Sequence, residues 1–440
     1  MQINLIIYLD VTFVKKIFSF LLVITSFFLI SCSNQNNGKN NQGDVMDQTE
    51  EKELILENDN LDINCGEKAK LPSTNYEVNF MLWDNDFAYI KDEYIYAVKE
   101  GKINIEVCPI DKDIKSKQLE VVVKKGKINK IDNFENDQHI KSLGRNEIKN
   151  GSITLIQSAS SVEFSYVGSA LKLNMYSQEL GFGNPEYSYL VDDETDQNKH
   201  IVSFKENKLL DIKNDFYGSH KVKILKRNEA KFTRLTIDSV ETDGYFTFIN
   251  DDKLKIEVYG DSITCGYAIY GEPYNNHNTN ALDTYAYLTA KNLNADLSVF
   301  ASSGIGLLKG ETANNVINKF MYLHQNSNKK WDFSLYDPDI VIINLGTNYL
   351  WFGVSESEFY NAYLSFLYTL REKYNNAKFV CVNGMMTKDM NSAIKKAVNK
   401  FNDRSYFVDL PKANVKVHPL KDDHLASSEV LTKFMKENVL

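Results

Sequence analysis

Arginine is the first scarcity. Of 50 basic residues only five are arginines (Arg145, Arg227, Arg234, Arg371, Arg404), and 59 acidic residues bring the formal net charge to −9. Bidentate phosphate recognition needs clustered guanidinium groups, and polyanion binding needs a basic excess, so no nucleic-acid partner is expected. Cysteine is scarce as well. Five scattered residues cannot frame a disulfide scaffold; a Cys65–Cys108 bridge and two unpaired thiols both remain compatible with the sequence. There is no CxxC and no HExxH, hence no zinc-ligand spacing; neither a metal nor an organic cofactor is implied. The apolar run Ile17–Ile30 is too short to cross a bilayer.

What is present is ample apolar material. With 440 residues, 43% of them hydrophobic and 25% charged, the chain can fill several cores, and about two to four domains are expected. Lys15 and Lys16 precede the apolar run, as in a secretory signal. The run ends Leu29-Ile30-Ser31-Cys32, which resembles the lipobox of bacterial lipoproteins. That resemblance implies a signal peptide over 1–31, lipidation of Cys32, export, and a lipid anchor holding the protein to a membrane of the bacterial cell envelope. Residues 32–52 are rich in Asn, Gln, Gly, Asp and Glu and have too few apolar groups to offset ordering entropy; they are expected to form a flexible linker.

Three folded regions should follow. Residues 53–125 hold short strand-like runs separated by turn signals such as Glu100-Gly101-Lys102, the pattern of a β-sandwich. Their FMLWDNDFAYIKDEYIYAVKEGKINIEV stretch resembles bacterial immunoglobulin-like repeats. Residues 126–250 alternate in the same β manner, with Val162–Val167 and Leu171–Met175 flanking Gly168, and are expected to form a β jelly roll. From 251 to 440 the character changes. Strand-like runs (Leu254–Tyr259, Leu297–Ala301, Ile340–Leu345, Phe379–Asn383, Tyr406–Asp409) alternate with helical patterns (Thr284–Leu293, Val316–Leu323, Glu356–Tyr374, Asn391–Asn402, Ser427–Asn438). This order predicts a parallel sheet covered on both faces, with its active site beyond the carboxyl ends of the strands.

Polar motifs sit at those ends. The first strand runs into Gly260-Asp261-Ser262-Ile263-Thr264, the second into Ser302-Ser303-Gly304-Ile305-Gly306, and the third into Gly346-Thr347-Asn348. Ser262 at the turn can expose its hydroxyl and aim its own N–H at a developing anion. Gly304 allows close backbone approach, and Asn348 offers an amide donor. His418, before Pro419, and His424, beside Asp422 and Asp423, are the histidines of the last hundred residues. A nucleophile, anion donors and a base on successive strand ends suit acyl transfer.

GDSIT, SGIG, GTN and a C-terminal His-Pro together resemble the four blocks of the SGNH hydrolases. More closely, GDSITCGY, SSGIGL, WDFSLYDPDIVIINLGTN and HPLKDDH resemble carbohydrate esterase family 2, and LGRNE, VEFSYVGSALKL and KRNEA resemble its jelly roll. The resemblance covers about residues 126–440. It implies a three-layer α/β, flavodoxin-like hydrolase domain behind a jelly roll, acting on acetylated carbohydrate as a carboxylic ester hydrolase. It further implies Ser262 as nucleophile, His418 as base, and an oxyanion hole made by Ser262, Gly304 and Asn348. His424 remains the alternative base. Two positions depart from the family pattern. Tyr349 replaces the Asp of GTND, and Val415 and Lys416 stand where an acid would precede the His. Some members resemble a Ser–His dyad whose imidazole is oriented by a backbone carbonyl. Tyr349 and Trp351, straight after Asn348, form either core packing or a sugar-stacking surface. The second functional expectation is a carbohydrate-binding surface lipoprotein with a degenerate hydrolase site.

Overall fold

A computed structural model describes residues 52–311, 314–414 and 418–440, apart from the side chains of Leu350 and Trp351. The expected signal segment, Cys32 and nearly all of the linker lie outside the described residues, as do Val415 and Lys416.

The chain divides into two compact units. The first holds described residues 52–61, 72–83 and 104–120. It carries most of a four-stranded sheet in the order Asn60–Asn64, Lys117–Lys124, Gly101–Pro109, Val78–Met81. Within it the alternation is of period two: Ile105 and Val107 are buried and Glu106 between them is not, and Leu119 is buried between Gln118 and Glu120, which are not. Successive strand residues point to opposite faces, so one face supplies the core.

The second unit takes in 62–71, 84–103 and 121–440. Cys65 lies here with an unbridged thiol that donates to the Val98 carbonyl at 2.9 Å, so the Cys65–Cys108 bridge is not formed. Between Lys130 and Thr247 the chain builds a ten-stranded antiparallel sheet system. Its spine is two long strands, Ser161–Glu179 and Glu206–Lys226, paired along most of their length with a register shift between Gly168 and Ala170. Before the shift Val162, Phe164 and Tyr166 are buried; after it Leu171, Leu173 and Met175 are. The bulge changes the parity of the inward residues and keeps one apolar face on the same core. Gly168 is needed there, because a Cβ would stand 2.5 Å from Thr242 Oγ1.

From Lys255 onward the chain forms five parallel strands: β1 (Lys255–Gly260), β2 (Asp296–Ala301), β3 (Ile340–Asn344), β4 (Lys378–Asn383) and β5 (Ser405–Asp409), in spatial order β2-β1-β3-β4-β5. The helices are α1 (Ser262–Cys265), α2 (Tyr285–Asn292), α3 (Val316–Lys319), α4 (Tyr349–Phe352), α5 (Glu356–Lys373), α6 (Asn391–Phe401) and α7 (Lys421–Asn438). One sheet face packs Tyr259, Val341 and Ile343 against Tyr363, Phe366 and Ile394 of α5 and α6. The other packs Ile256, Val258 and Ile342 against Tyr285, Ala286, Leu431 and Met435 of α2 and α7. Burial on both faces explains why β3 is continuously apolar. Two helices differ from expectation. α3 stops at Lys319, and Tyr322 bridges to Lys330 instead. α7 begins at Lys421, six residues before the expected Ser427 start, and so takes His424 into its first turns.

Candidate active site

β1 ends at Gly260, which is not left-handed; its role is steric. A Cβ there would stand 2.0 Å from Thr264 Oγ1, so only glycine lets α1 fold back directly onto the strand. Asp261 then caps α1, its Oδ1 accepting the Ile263 N–H at 3.0 Å. Complete burial pushes this carboxyl up to about 7, against the pull of its hydrogen bonds to Ile263 and Thr347. Asp261 therefore shapes the turn and ties β1 to the β3 loop. Ser262 is the first residue of α1 and is nearly buried.

The loop after β5 returns to this point. His418 Nε2 lies 3.1 Å from Ser262 Oγ. Burial holds the imidazole below the usual histidine range, which favours the neutral form that can accept a proton. Among the described residues Nδ1 is buried without a hydrogen-bond partner. The ring packs edge-on against Tyr267, with centroids 5.1 Å apart. His424 is elsewhere. Its Nδ1 accepts the Tyr285 N–H at 3.1 Å, satisfying an amide at the start of α2, and its ring stacks on that of Tyr285. Full burial pushes it down to about 3. Of the two histidines, the structure brings His418 and not His424 to Ser262. Asp423, one of the acids that favoured His424, accepts the Leu420 N–H at 2.9 Å and caps α7.

The β2 loop makes a turn closed by the Ile305 N–H on Ser302 O, with Gly304 at φ +75° in its third position, where such a turn requires a left-handed residue. On one side the Gly304 carbonyl accepts from Glu311 N. On the other the buried carboxylate of Glu229 accepts the Ser303 N–H at 2.8 Å. Asn348 precedes α4 and donates through Nδ2 to the Ile305 carbonyl at 2.8 Å, which joins the β3 loop to the β2 loop and leaves its second amide hydrogen for another acceptor. Tyr349 donates to Asp389 Oδ2 at 3.0 Å and rests partly buried on the α5–α6 core. The Trp351 side chain lies outside the described residues. Cys265 is fully buried, and burial, with Glu229 beside it, pushes its thiol well up; it is a packing residue. Among the described residues no group of three or more His, Cys, Asp or Glu is placed to hold a metal ion.

Residues from the antiparallel region complete the surroundings. Arg145, of LGRNE, is fully buried and donates to Tyr259 Oη at 2.8 Å, to Glu257 at 3.3 Å, and to the carbonyls of Phe320 and Tyr322. Arg227, Asn228 and Glu229, of KRNEA, are buried in sequence. Arg227 O accepts from Ala281 N, and Asn228 Nδ2 donates to the carbonyls of Asn276 (2.7 Å) and Thr279 (2.8 Å). No single-segment pattern identifies Glu229 as a neighbour of the β2 loop; its one signal was membership of the KRNEA motif.

The arrangement can perform nucleophilic acyl chemistry: a hydroxyl on a turn, an uncharged imidazole at hydrogen-bond distance, and donors on two adjoining loops. Residues 258–425 match the GDSL-like Lipase/Acylhydrolase family. The chain is 28% identical over 313 residues to the cellulase/esterase CelE of Acetivibrio thermocellus, covering 64% of this chain and 37% of that protein. It is 28% identical over 325 residues to an acetylxylan esterase / glucomannan deacetylase of Cellvibrio japonicus, covering 68% and 89%. Among solved structures it is similar to a family two carbohydrate esterase from Clostridium thermocellum in complex with cellohexaose, with 27% identity, a TM-score of 0.61, and 68% and 99% of the two chains covered. It is equally similar to a family two carbohydrate esterase from Cellvibrio japonicus, with 27% identity, a TM-score of 0.61, and 68% and 95% covered. The chain thus carries a GDSL-like (SGNH) hydrolase domain behind a β-rich N-terminal region, and its homologues and structural neighbours are family 2 carbohydrate esterases.

Proposed function

We propose that this protein is a serine esterase that removes O-acetyl groups from carbohydrates. The observation that carries the reading is the 3.1 Å contact between His418 Nε2 and Ser262 Oγ at the strand ends of the hydrolase sheet. Ser262 Oγ attacks the acetyl carbonyl while His418 Nε2 takes its proton. The carbonyl π electrons move onto oxygen, where the N–H groups of Ser262 and Gly304 and the free amide hydrogen of Asn348 receive the charge. The C–O bond to the sugar then breaks, and His418 returns the proton to the sugar oxygen. Water attacks the acetyl-enzyme by the same route in reverse and releases acetate. Burial lowers the basicity of His418, so its resting form is the neutral ring that can accept the Ser262 proton.

The β-rich part of the chain is read as an immunoglobulin-like spacer over 53–125 and a jelly roll over 126–250, ahead of the hydrolase domain over 251–440. The lysines, apolar run and Cys32 at the N-terminus support export and lipid anchoring at the cell envelope.

Acetate release from O-acetylated polysaccharides, measured for the wild type and Ser262→Ala, tests the function. The variant should stay folded and lose essentially all turnover. A folded Ser262→Ala protein keeping more than about a tenth of the wild-type rate would refute the covalent route. A wild type that binds oligosaccharide without turnover would leave only the carbohydrate-binding reading.

A further inference from the structure

Phe182 is held in a conformation that a bulky residue rarely adopts. Its φ is +68°, in the left-handed region, where a Cβ clashes with the backbone. The flanking glycines 181 and 183 carry no such cost, yet the aromatic residue stands between them. The buried amide of Asn276 holds the loop in place: Nδ2 donates to the carbonyls of Gly181 (3.2 Å) and Gly183 (2.6 Å), and the backbone N–H donates to the carbonyl of Phe182 itself at 2.8 Å. Held this way, the Phe182 ring is 41% exposed. Phe232 supports it at a centroid distance of 4.1 Å. Strain retained by a built clamp in order to expose an apolar ring marks a functional position.

The ring does not stand alone. Tyr267 lies 6.3 Å from Phe182 and 5.1 Å from His418, and Tyr274, 36% exposed, stacks on Tyr267 at 5.5 Å. An aromatic surface assembled from two distant segments therefore reaches the imidazole. The chemistry of the site says what belongs on it. The oxyanion faces Gly304 and Asn348, whereas the departing oxygen must take its proton from His418 Nε2. The alcohol half of the ester thus lies on the histidine side, where the rings are. An acetyl group is too small to use them; the apolar C–H face of a pyranose is suited to them.

We propose that Phe182, Tyr267 and Tyr274 form the subsite that holds the sugar ring carrying the acetyl group, and that the Asn276 clamp exists to present Phe182 to it. This rests on the esterase reading for its polarity, with the leaving sugar at His418. Because the three rings extend beyond His418, the surface suits an oligosaccharide better than a single residue.

The test compares kcat/KM on O-acetylated xylo- and gluco-oligosaccharides with kcat/KM on ethyl acetate, whose leaving group is too small to rest on the rings. Phe182→Gly removes the ring and accepts the left-handed backbone without strain, so loss of fold cannot imitate loss of the subsite. Tyr274→Ala serves as the second variant. Each should lower the ratio of the two values by about tenfold, the worth of one stacking ring, through KM on the saccharide. Phe182→Tyr should restore it. An unchanged ratio, or an equal fall on both substrates, would overturn the proposal. Calorimetric binding of the unacetylated oligosaccharide to Ser262→Ala, with and without Phe182→Gly, reads the subsite independently of turnover. Affinity lost with the ring supports it even if no ester is hydrolysed, and affinity unaffected by the ring sinks it.

Discussion

At the scale of single residues, the site separates two histidines that the sequence could not rank on chemistry alone. Both stand near one end of the chain, and His424 has the adjacent acids. The difference is that α7 starts early and carries His424 inward, where its nitrogen serves an amide of α2. A fully buried, hydrogen-bonded imidazole held at about 3 cannot exchange protons with a substrate near neutral pH. His418→Ala should therefore approach the defect of Ser262→Ala, since the two act as one unit, whereas His424→Asn should act mainly on stability. The pH profile follows with a definite sign. Burial lowers the His418 pKa, and the base must be neutral to work. The acid limb of kcat/KM should thus fall below the ordinary histidine value of about 6.5. A limb at or above that value would show that burial does not set the basicity of His418.

At the scale of elements, the catalytic geometry belongs to loops whose supports are distant in sequence. The β2 loop is the clearest case. Gly304 supplies its left-handed turn, but its position relative to Ser262 depends on the Glu229 carboxylate that accepts the Ser303 N–H. Glu229→Ala would take the partner from that half-buried amide, at a cost of about 1 kcal/mol. The strain should fall on the neighbouring Gly304 donor. The expected result is a fall in kcat of about tenfold or more with KM little changed, and recovery in Glu229→Gln, whose amide oxygen can still accept. A fall confined to KM would remove Glu229 from the positioning of this loop.

The same example shows what was legible in the sequence. The five strands could be placed within a residue or so, because apolar runs bounded by Gly, Asn and Ser announce themselves locally. Motifs at their ends single out Ser262, Gly304 and Asn348 as candidates, and the resemblance of the C-terminal His-Pro singles out His418, with His424 as the alternative. Glu229, Asn276 and Phe182 are not singled out, because each acts on a segment tens of residues away, and nothing in a local pattern encodes that contact. The early start of α7 was missed for another reason: Lys421, Asp422 and Asp423 look like loop residues until Asp423 is seen as the cap.

At the scale of the whole molecule, the antiparallel region and the hydrolase sheet share their buried charge. Arg145 lies under the β1 strand, ion-paired to Glu257 with both side chains fully buried. Its guanidinium stands 4.6 Å from the Phe300 ring centroid and 5.7 Å from that of Trp331. Glu257 also accepts from Tyr259, Tyr374 and Ser298. A buried pair of this kind adds little over well-packed apolar residues, but breaking it from one side is costly because a charge is stranded. Arg145→Met should therefore destabilise the second unit by about 3–5 kcal/mol, measured by urea unfolding followed through hydrogen exchange of the backbone amides. Adding Glu257→Gln should recover part of that loss, since the remaining carboxamide no longer needs a counter-charge while its oxygen still accepts from the tyrosines. The wild type should unfold the antiparallel region and the hydrolase sheet in one transition. Loss of Arg145 should separate them, because its bonds to the Phe320 and Tyr322 carbonyls are among those that tie the two together. If Arg145→Met costs less than about 1 kcal/mol, the value of an ordinary surface pair, or if the double variant is weaker than the sum of the singles, the buried pair is not what couples the two halves, and the burial of Arg227–Glu229 must carry that role instead.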